Sequence, residues 1–153
     1  MLELVIFVGL QASGKSTFFR ERFAATHELV SKDLFSNNKN RNRRQEELIT
    51  AALSTGLPVV VDNTNPTPEA RRALVRLGRG HGAKILGYYF DSTVRECAER
   101  NRLRAGKAKV PDVAIYATAK KLVTPSISEG FDELLRVRVA DDHAFEVRAE
   151  ARR

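Results

Sequence analysis

Two spacings of apolar residues alternate along the chain. Leu2-Glu3-Leu4-Val5-Ile6-Phe7 is a short, nearly continuous apolar run that predicts a buried strand reaching Gly9. After a glycine-bearing turn, Lys15–Ala25 predicts the first helix. His27–Val30 predicts a short second strand, with Ser31-Lys32-Asp33 at its carboxyl edge. Between Asn40 and Ser54, Leu48, Ile49, Ala52 and Leu53 fall on one side of a helix. Pro58–Val61 is apolar and β-branched, as a third strand should be. In the next loop Thr67 is placed as an N-cap and Pro68 at the first position of a helix running to about Gly80. That helix sets Arg71, Arg72, Arg76 and Arg79 opposite Ala70, Leu74 and Leu77. Ala83–Phe90 predicts a fourth strand ending at Asp91, and Ser92–Ala105 a helix. Val110-Pro111 opens a further helix to about Leu122, and Leu134–Val139 is a fifth strand. Ala144–Val147 reads as a sixth strand or as part of a tail over 140–153.

Strand and helix in turn argue an α/β fold, a parallel sheet with helices on both faces. Ligands of such sheets bind outside the carboxyl ends of the strands. Three polar segments fall on that rim: residues 9–17, Asp33, and Asp62-Asn63-Thr64-Asn65. With no repeat, low-complexity linker or composition break, residues 1–153 are expected to form a single domain.

The first rim segment carries a chemistry. Gly9-Leu10-Gln11-Ala12-Ser13-Gly14-Lys15-Ser16-Thr17 has the form G-x-x-x-x-G-K-[ST], between a predicted strand and a predicted helix. In such a P-loop the backbone N–H groups from Gly9 through Gln11, Ala12, Ser13, Gly14 and Thr17 cradle the phosphates of a nucleotide, here expected to be ATP. Lys15 reaches the β- and γ-phosphates, and the Ser16 hydroxyl takes Mg²⁺.

Around this loop each candidate has a plainer reading beside it. Asp33 follows a strand on the nucleotide rim, where a carboxylate can take the proton of an acceptor hydroxyl; it is also a natural helix N-cap before Leu34 and Phe35. Asp62, at the end of the third strand, fits a place beside Mg²⁺, directly or through water, or a cap on the next turn. Arg100 and Arg104 share a helix face at the start of a basic segment, about 100–112, that suits a lid over the nucleotide or a solvated basic helix end. Asn37 to Arg44, with Arg41, Arg43 and Arg44, is a basic run without aromatics, fit for a phosphodiester backbone or for solvent.

Bulk properties narrow the choice little further. Lys and Arg number 26 against 19 Asp and Glu, a net charge of +7 that favours polyanionic partners or marks a generally basic surface. No apolar run is long enough to span a bilayer and the first residues lack a basic leader, so a cytoplasmic protein without membrane contact is expected. Cys97, the one cysteine, sits in a helical pattern as a small buried filler, and His27, His81 and His143 have no metal-ligand spacing.

Taken together, several segments resemble a family. Gly9–Thr17, Ser31-Lys32-Asp33, Val60 to Pro66, Glu99 to Arg104, Val110-Pro111, and Pro125-Ser126-Ile127-Ser128-Glu129-Gly130-Phe131 are similar, in order, to the 5′-kinase domain of polynucleotide kinases. The similarity is to the animal kinase–phosphatase enzymes and, more distantly, to the phage enzyme. It implies a P-loop NTPase fold: a three-layer α/β/α sandwich with a mostly parallel central sheet and a helical lid. It also implies ATP and Mg²⁺ as cofactors and nucleic acid 5′-hydroxyl ends as substrate. Asp33 matches the general base, Lys15 and Ser16 the phosphate and Mg²⁺ contacts, and Arg104, with its neighbour Arg100, the lid clamp on the ATP phosphates. Asp62 falls in the third-strand motif, whose aspartate stands one position later in the phage form, at Asn63 here; Asn63 is grouped with Asp33 on the acceptor side. The phage pattern places an arginine for the acceptor's 3′-phosphate where this chain has Ser36, leaving Arg41, Arg43 and Arg44 as substitutes. The chain lacks an Asp-x-Asp-x-Thr phosphatase signature, so a standalone kinase is expected. A P-loop kinase of a nucleoside or other small metabolite, and a non-catalytic nucleotide switch, are the competing functions.

Overall fold

The computed structural model describes residues 2–150. Its centre is β1 (Glu3–Gly9), every residue of which after Glu3 is buried. Around it lie β2 (Glu28–Val30), β3 (Val59–Val61), β4 (Lys84–Phe90), β5 (Glu133–Val139) and β6 (Phe145–Ala149), in the spatial order β2-β3-β1-β4-β5-β6. The first five are parallel, and β6 closes the sheet antiparallel to β5. Phe145–Ala149 is therefore a strand, starting one residue later and ending two residues later than the predicted run and held by register with β5.

Strand pleat sorts the core into layers. Leu4, Ile6 and Val8 face α2 (Arg41–Ser54) and α3 (Pro68–Gly80), against Ile49, Leu53, Leu74 and Val75. Val5 and Phe7 face α1 (Lys15–Arg22), in a cluster with Phe18, Phe23 and Phe90 whose ring contacts are edge-on or tilted. The expected three-layer α/β/α sandwich with a mostly parallel sheet is present. Helix α1 stops at Arg22, three residues before the predicted end, because Phe23 leaves the helix to join the aromatic cluster. A third, smaller core joins α4 (Val94–Arg102) and α5 (Asp112–Lys121) to the P-loop through Leu10, Ala12, Cys97 and Ile115. Cys97 is fully buried and burial pushes its thiol pKa up, as suits a packing residue. Among the described residues no helix is long and apolar enough to cross a membrane.

Arg71 corrects the helical-face reading of α3. It is 0% exposed: its guanidinium donates to both carboxylate oxygens of Glu129 at 2.7 and 3.1 Å and to the Asn65 carbonyl at 2.9 Å. Glu129 belongs to a capping box with Ser126 on the turn before β5. Phe131, just after it, lies over Gly87 so closely that a Cβ there would come within 2.7 Å of the ring. The segment Asn63 to Pro66 is similarly committed to the scaffold. Thr64 accepts the Gly9 N–H at 3.0 Å, Asn65 in the left-handed region (φ 43°) donates to the Phe7 carbonyl at 2.7 Å, and Pro66 accepts the Val123 N–H at 2.8 Å.

Candidate active site

The strand order reverses at β1, whose carboxyl end lies between those of β3 and β4, and the P-loop begins there. Gly14 has φ +100°, and a Cβ on it would come within 3.0 Å of the Phe145 ring, so the turn into α1 admits only glycine. Lys15, the first residue of α1, is buried and folds its ammonium back on the loop. It donates to the Gly9 and Leu10 carbonyls at 3.0 and 2.7 Å and to Ser13 Oγ at 3.5 Å. Burial lowers its pKa to about 8, while Asp62 and Asp33 push the other way. Nucleotide affinity is thus expected to fall as pH rises through about 8, where the free protein's ammonium is lost. An ATP titration by calorimetry between pH 7 and 9 checks this, and an affinity flat over that range would contradict it.

Across the rim, Ser16 donates its hydroxyl to Asp62 Oδ2 at 2.9 Å. Asp62, 8% exposed, has its pKa raised by burial, with Lys15 and the Ser16 hydrogen bond opposing. The two side chains offer the hard oxygen donors that Mg²⁺ prefers. No cluster of three or more His, Cys, Asp or Glu among the described residues makes a metal cage. One carboxylate and one hydroxyl fit an ion that also draws on substrate phosphates and water.

Asp33 is not the cap of its turn. Ser31 is: its hydroxyl accepts the Asp33 N–H at 3.4 Å at the start of a 3-10 turn, Lys32–Phe35. The Asp33 side chain is exposed and makes no hydrogen bond or ion pair among the described residues. Its charge is felt by both Lys15 and Asp62. Beside it Leu34 is 67% exposed. Asn63 faces this turn from the loop after β3, accepting the Lys32 N–H at 2.9 Å and donating to Gln45 of α2 at 2.6 Å. Each end of its amide thus has one partner, and each keeps a further hydrogen-bonding position.

The two arginines expected on a lid divide. Arg100 reaches the P-loop's outer side, donating to the Ala12 carbonyl at 3.2 Å and Ser92 Oγ at 3.1 Å. Arg104, just past α4, donates to the Ala108 carbonyl at 3.0 Å, and its charge acts on Lys15 and Asp62. Gln11 of the loop donates its side-chain amide to Thr118 Oγ1 of α5 at 2.9 Å. The basic run divides as well. Arg43 and Arg44 lie within 3.3 and 3.4 Å of Glu47. Arg41, one helical turn before the buried Gln45, has no carboxylate partner among the described residues, and its charge acts on Lys32. Gln11, Gln45, Arg71 and Glu129 were not singled out as structural anchors from sequence, because each acts on a partner 18 to 107 residues away.

Comparisons with known proteins bear on the family and the fold. A bifunctional polynucleotide phosphatase/kinase of Schizosaccharomyces pombe is 26% identical over 140 residues, covering 88% of this chain and 33% of that protein. The chain spans about a third of the length of the curated relatives it matches. The structure of a Pnkp1/Rnl/Hen1 complex aligns with TM-score 0.57 and 26% identity over 65% of this chain and 38% of its own. A gluconokinase from Sinorhizobium meliloti 1021 shares the fold, with TM-score 0.64 and 20% identity over 91% of this chain and 83% of its own. The chain thus shares the α/β fold of this kinase. An AAA domain family, AAA_33, matches residues 4–125, and the chain belongs to it.

Proposed function

We propose that the chain is an ATP-dependent polynucleotide 5′-hydroxyl kinase. The observation that carries the reading is Asp33: an exposed carboxylate that does not cap its own turn, on the 3-10 turn that follows β2, within electrostatic reach of Lys15 and Asp62. The 26% identity to a polynucleotide phosphatase/kinase supports the acceptor class. In this reading the acceptor's 5′-oxygen attacks the γ-phosphorus, the bond from that phosphorus to the β–γ bridging oxygen breaks, and ADP leaves with the electron pair. Asp33 takes the hydroxyl proton as the new oxygen–phosphorus bond forms. Lys15 leaves the Gly9 and Leu10 carbonyls for the phosphates, and Arg104 turns from its own segment to the same charge. Mg²⁺, when held by Ser16 and Asp62, supplies charge neutralisation on the phosphates.

Transfer of label from γ-labelled ATP to 5′-hydroxyl oligonucleotides, with nucleosides and gluconate as controls, tests the assignment. Labelled oligonucleotides alone support it; labelled controls without labelled oligonucleotides overturn it. The acceptor side makes a separate forecast. Arg41→Gln should reduce the salt dependence of oligonucleotide binding by about 0.7 in log–log slope, the value for one single-strand phosphate. Arg43→Gln, at a residue already near Glu47, should change it less. Filter binding over a salt series reads both slopes, and equal slopes in all three proteins would rule Arg41 out as a contact.

A further inference from the structure

We infer that Asn63 and Gln45 are positioning residues for Asp33, a polar strut that fixes the base-bearing turn to the acceptor-side helix α2. The inference rests on Asp33 being the base, as proposed above.

Asp33 has little local support for a group that must be held to a fraction of an ångström. Its turn is four residues long, and the capping bond from Asp33 N–H to Ser31 Oγ is long at 3.4 Å. The shorter side-chain bond to this turn is the one that Lys32 N–H, next to the base, donates to Asn63 Oδ1 at 2.9 Å. Backbone N–H is a donor only, so the oxygen of Asn63 must face Lys32 and its NH₂ must face Gln45. Gln45 Oε1 accepts there at 2.6 Å, and Gln45 is buried. The chain of donors and acceptors therefore has one self-consistent orientation, anchored at its far end in packed protein.

The strut also joins three parts of the site. Asn63 follows Asp62, which bonds Ser16, so its backbone is fixed on the phosphate side. Its side chain holds the turn that carries Asp33. Gln45 lies one helical turn after Arg41, so the helix face that bears the unpaired cation is the face that grips Asn63. A shift of α2 is thereby passed to the base, and phosphate-side contacts need not move with it.

Gln45→Met keeps the volume of the side chain and removes its acceptor; Gln45→Glu keeps an acceptor oxygen at the same reach. Gln45→Met is expected to lower kcat roughly 10- to 100-fold with the KM for ATP unchanged. It should also speed amide hydrogen exchange at Lys32, and Gln45→Glu should restore both readouts toward wild type. The inference is overturned if Gln45→Met leaves kcat and Lys32 exchange at wild-type values. It is equally overturned if the KM for ATP rises along with the loss of kcat, or if Gln45→Glu behaves like Gln45→Met. Wild-type protein that labels no 5′-hydroxyl oligonucleotide overturns the proposed function instead, and Lys32 exchange in Gln45→Met then still decides whether the strut holds the turn.

Discussion

Asp33→Asn should reduce phosphoryl transfer by about 10²- to 10⁴-fold, the range for loss of a general base, and leave ATP affinity close to wild type. The split follows from geometry. The Asp33 side chain is exposed and bonds to no described residue, so the amide disturbs no packing or hydrogen bond. The turn is capped by Ser31 and tied by Lys32 N–H to Asn63, and neither bond uses the Asp33 side chain. What the variant lacks is a basic oxygen beside the acceptor hydroxyl. Single-turnover transfer to a 5′-hydroxyl oligonucleotide, paired with calorimetric ATP binding, measures the two halves separately. Undiminished transfer would remove Asp33 from the chemistry, and lost ATP binding would move it to the nucleotide site.

Lys15→Met should abolish both nucleotide-induced thermal stabilisation and transfer, the latter by at least about 10²- to 10³-fold, as for loss of one preorganised charge-stabilising donor. The ammonium is kept in a place where burial lowers its pKa to about 8, with carbonyl dipoles as its partners in the free protein. A bound polyphosphate would offer full negative charges in place of these dipoles. The same residue leaves a mark on stability without nucleotide. Its folded pKa lies below the ordinary lysine value of 10.5, so the unfolded chain holds more protons between about 8 and 10.5. The Lys15 contribution to unfolding free energy then rises with pH across that window. Denaturant unfolding at pH 8 and pH 10 should show this rise in wild type and lack it in Lys15→Met. A matching pH dependence in the two proteins would assign the slope to other groups.

The layer architecture was readable because each β-rich run and each helical run in the chain meets its partner through local periodicity. Val59–Val61 and Leu4–Val8 look buried in any context, and the Thr67-Pro68 start of α3 is a local signal with a local cause. The P-loop was equally legible, since its glycines and Lys15 act within nine residues of one another. Asp33 needed the structure to choose between capping and exposure, because Ser31, two residues earlier, competes for the same N–H group. Arg71 was misplaced on the solvent face since helical spacing carries no word of Glu129, 58 residues away. Arg41 looked the same as Arg43 and Arg44 until Glu47 and Gln45 distinguished the faces of α2.

The clasp between Arg71 and Glu129 bears on where this domain can be cut. The family match stops at residue 125, and a fragment ending there would seem complete by that measure. It would lose the Glu129 carboxylate and Phe131, leaving a fully buried guanidinium with a single carbonyl and an open hollow above Gly87. Stranding one partner of a buried ion pair costs about 3–5 kcal/mol, a large part of the roughly 5–15 kcal/mol that keeps a domain folded. It would also lose β5 and β6, and with β6 the Phe145 ring that packs against Phe18 behind the phosphate loop. The smallest stable unit therefore extends through the edge strand β6, whose Phe145 ring backs Gly14 of the phosphate loop.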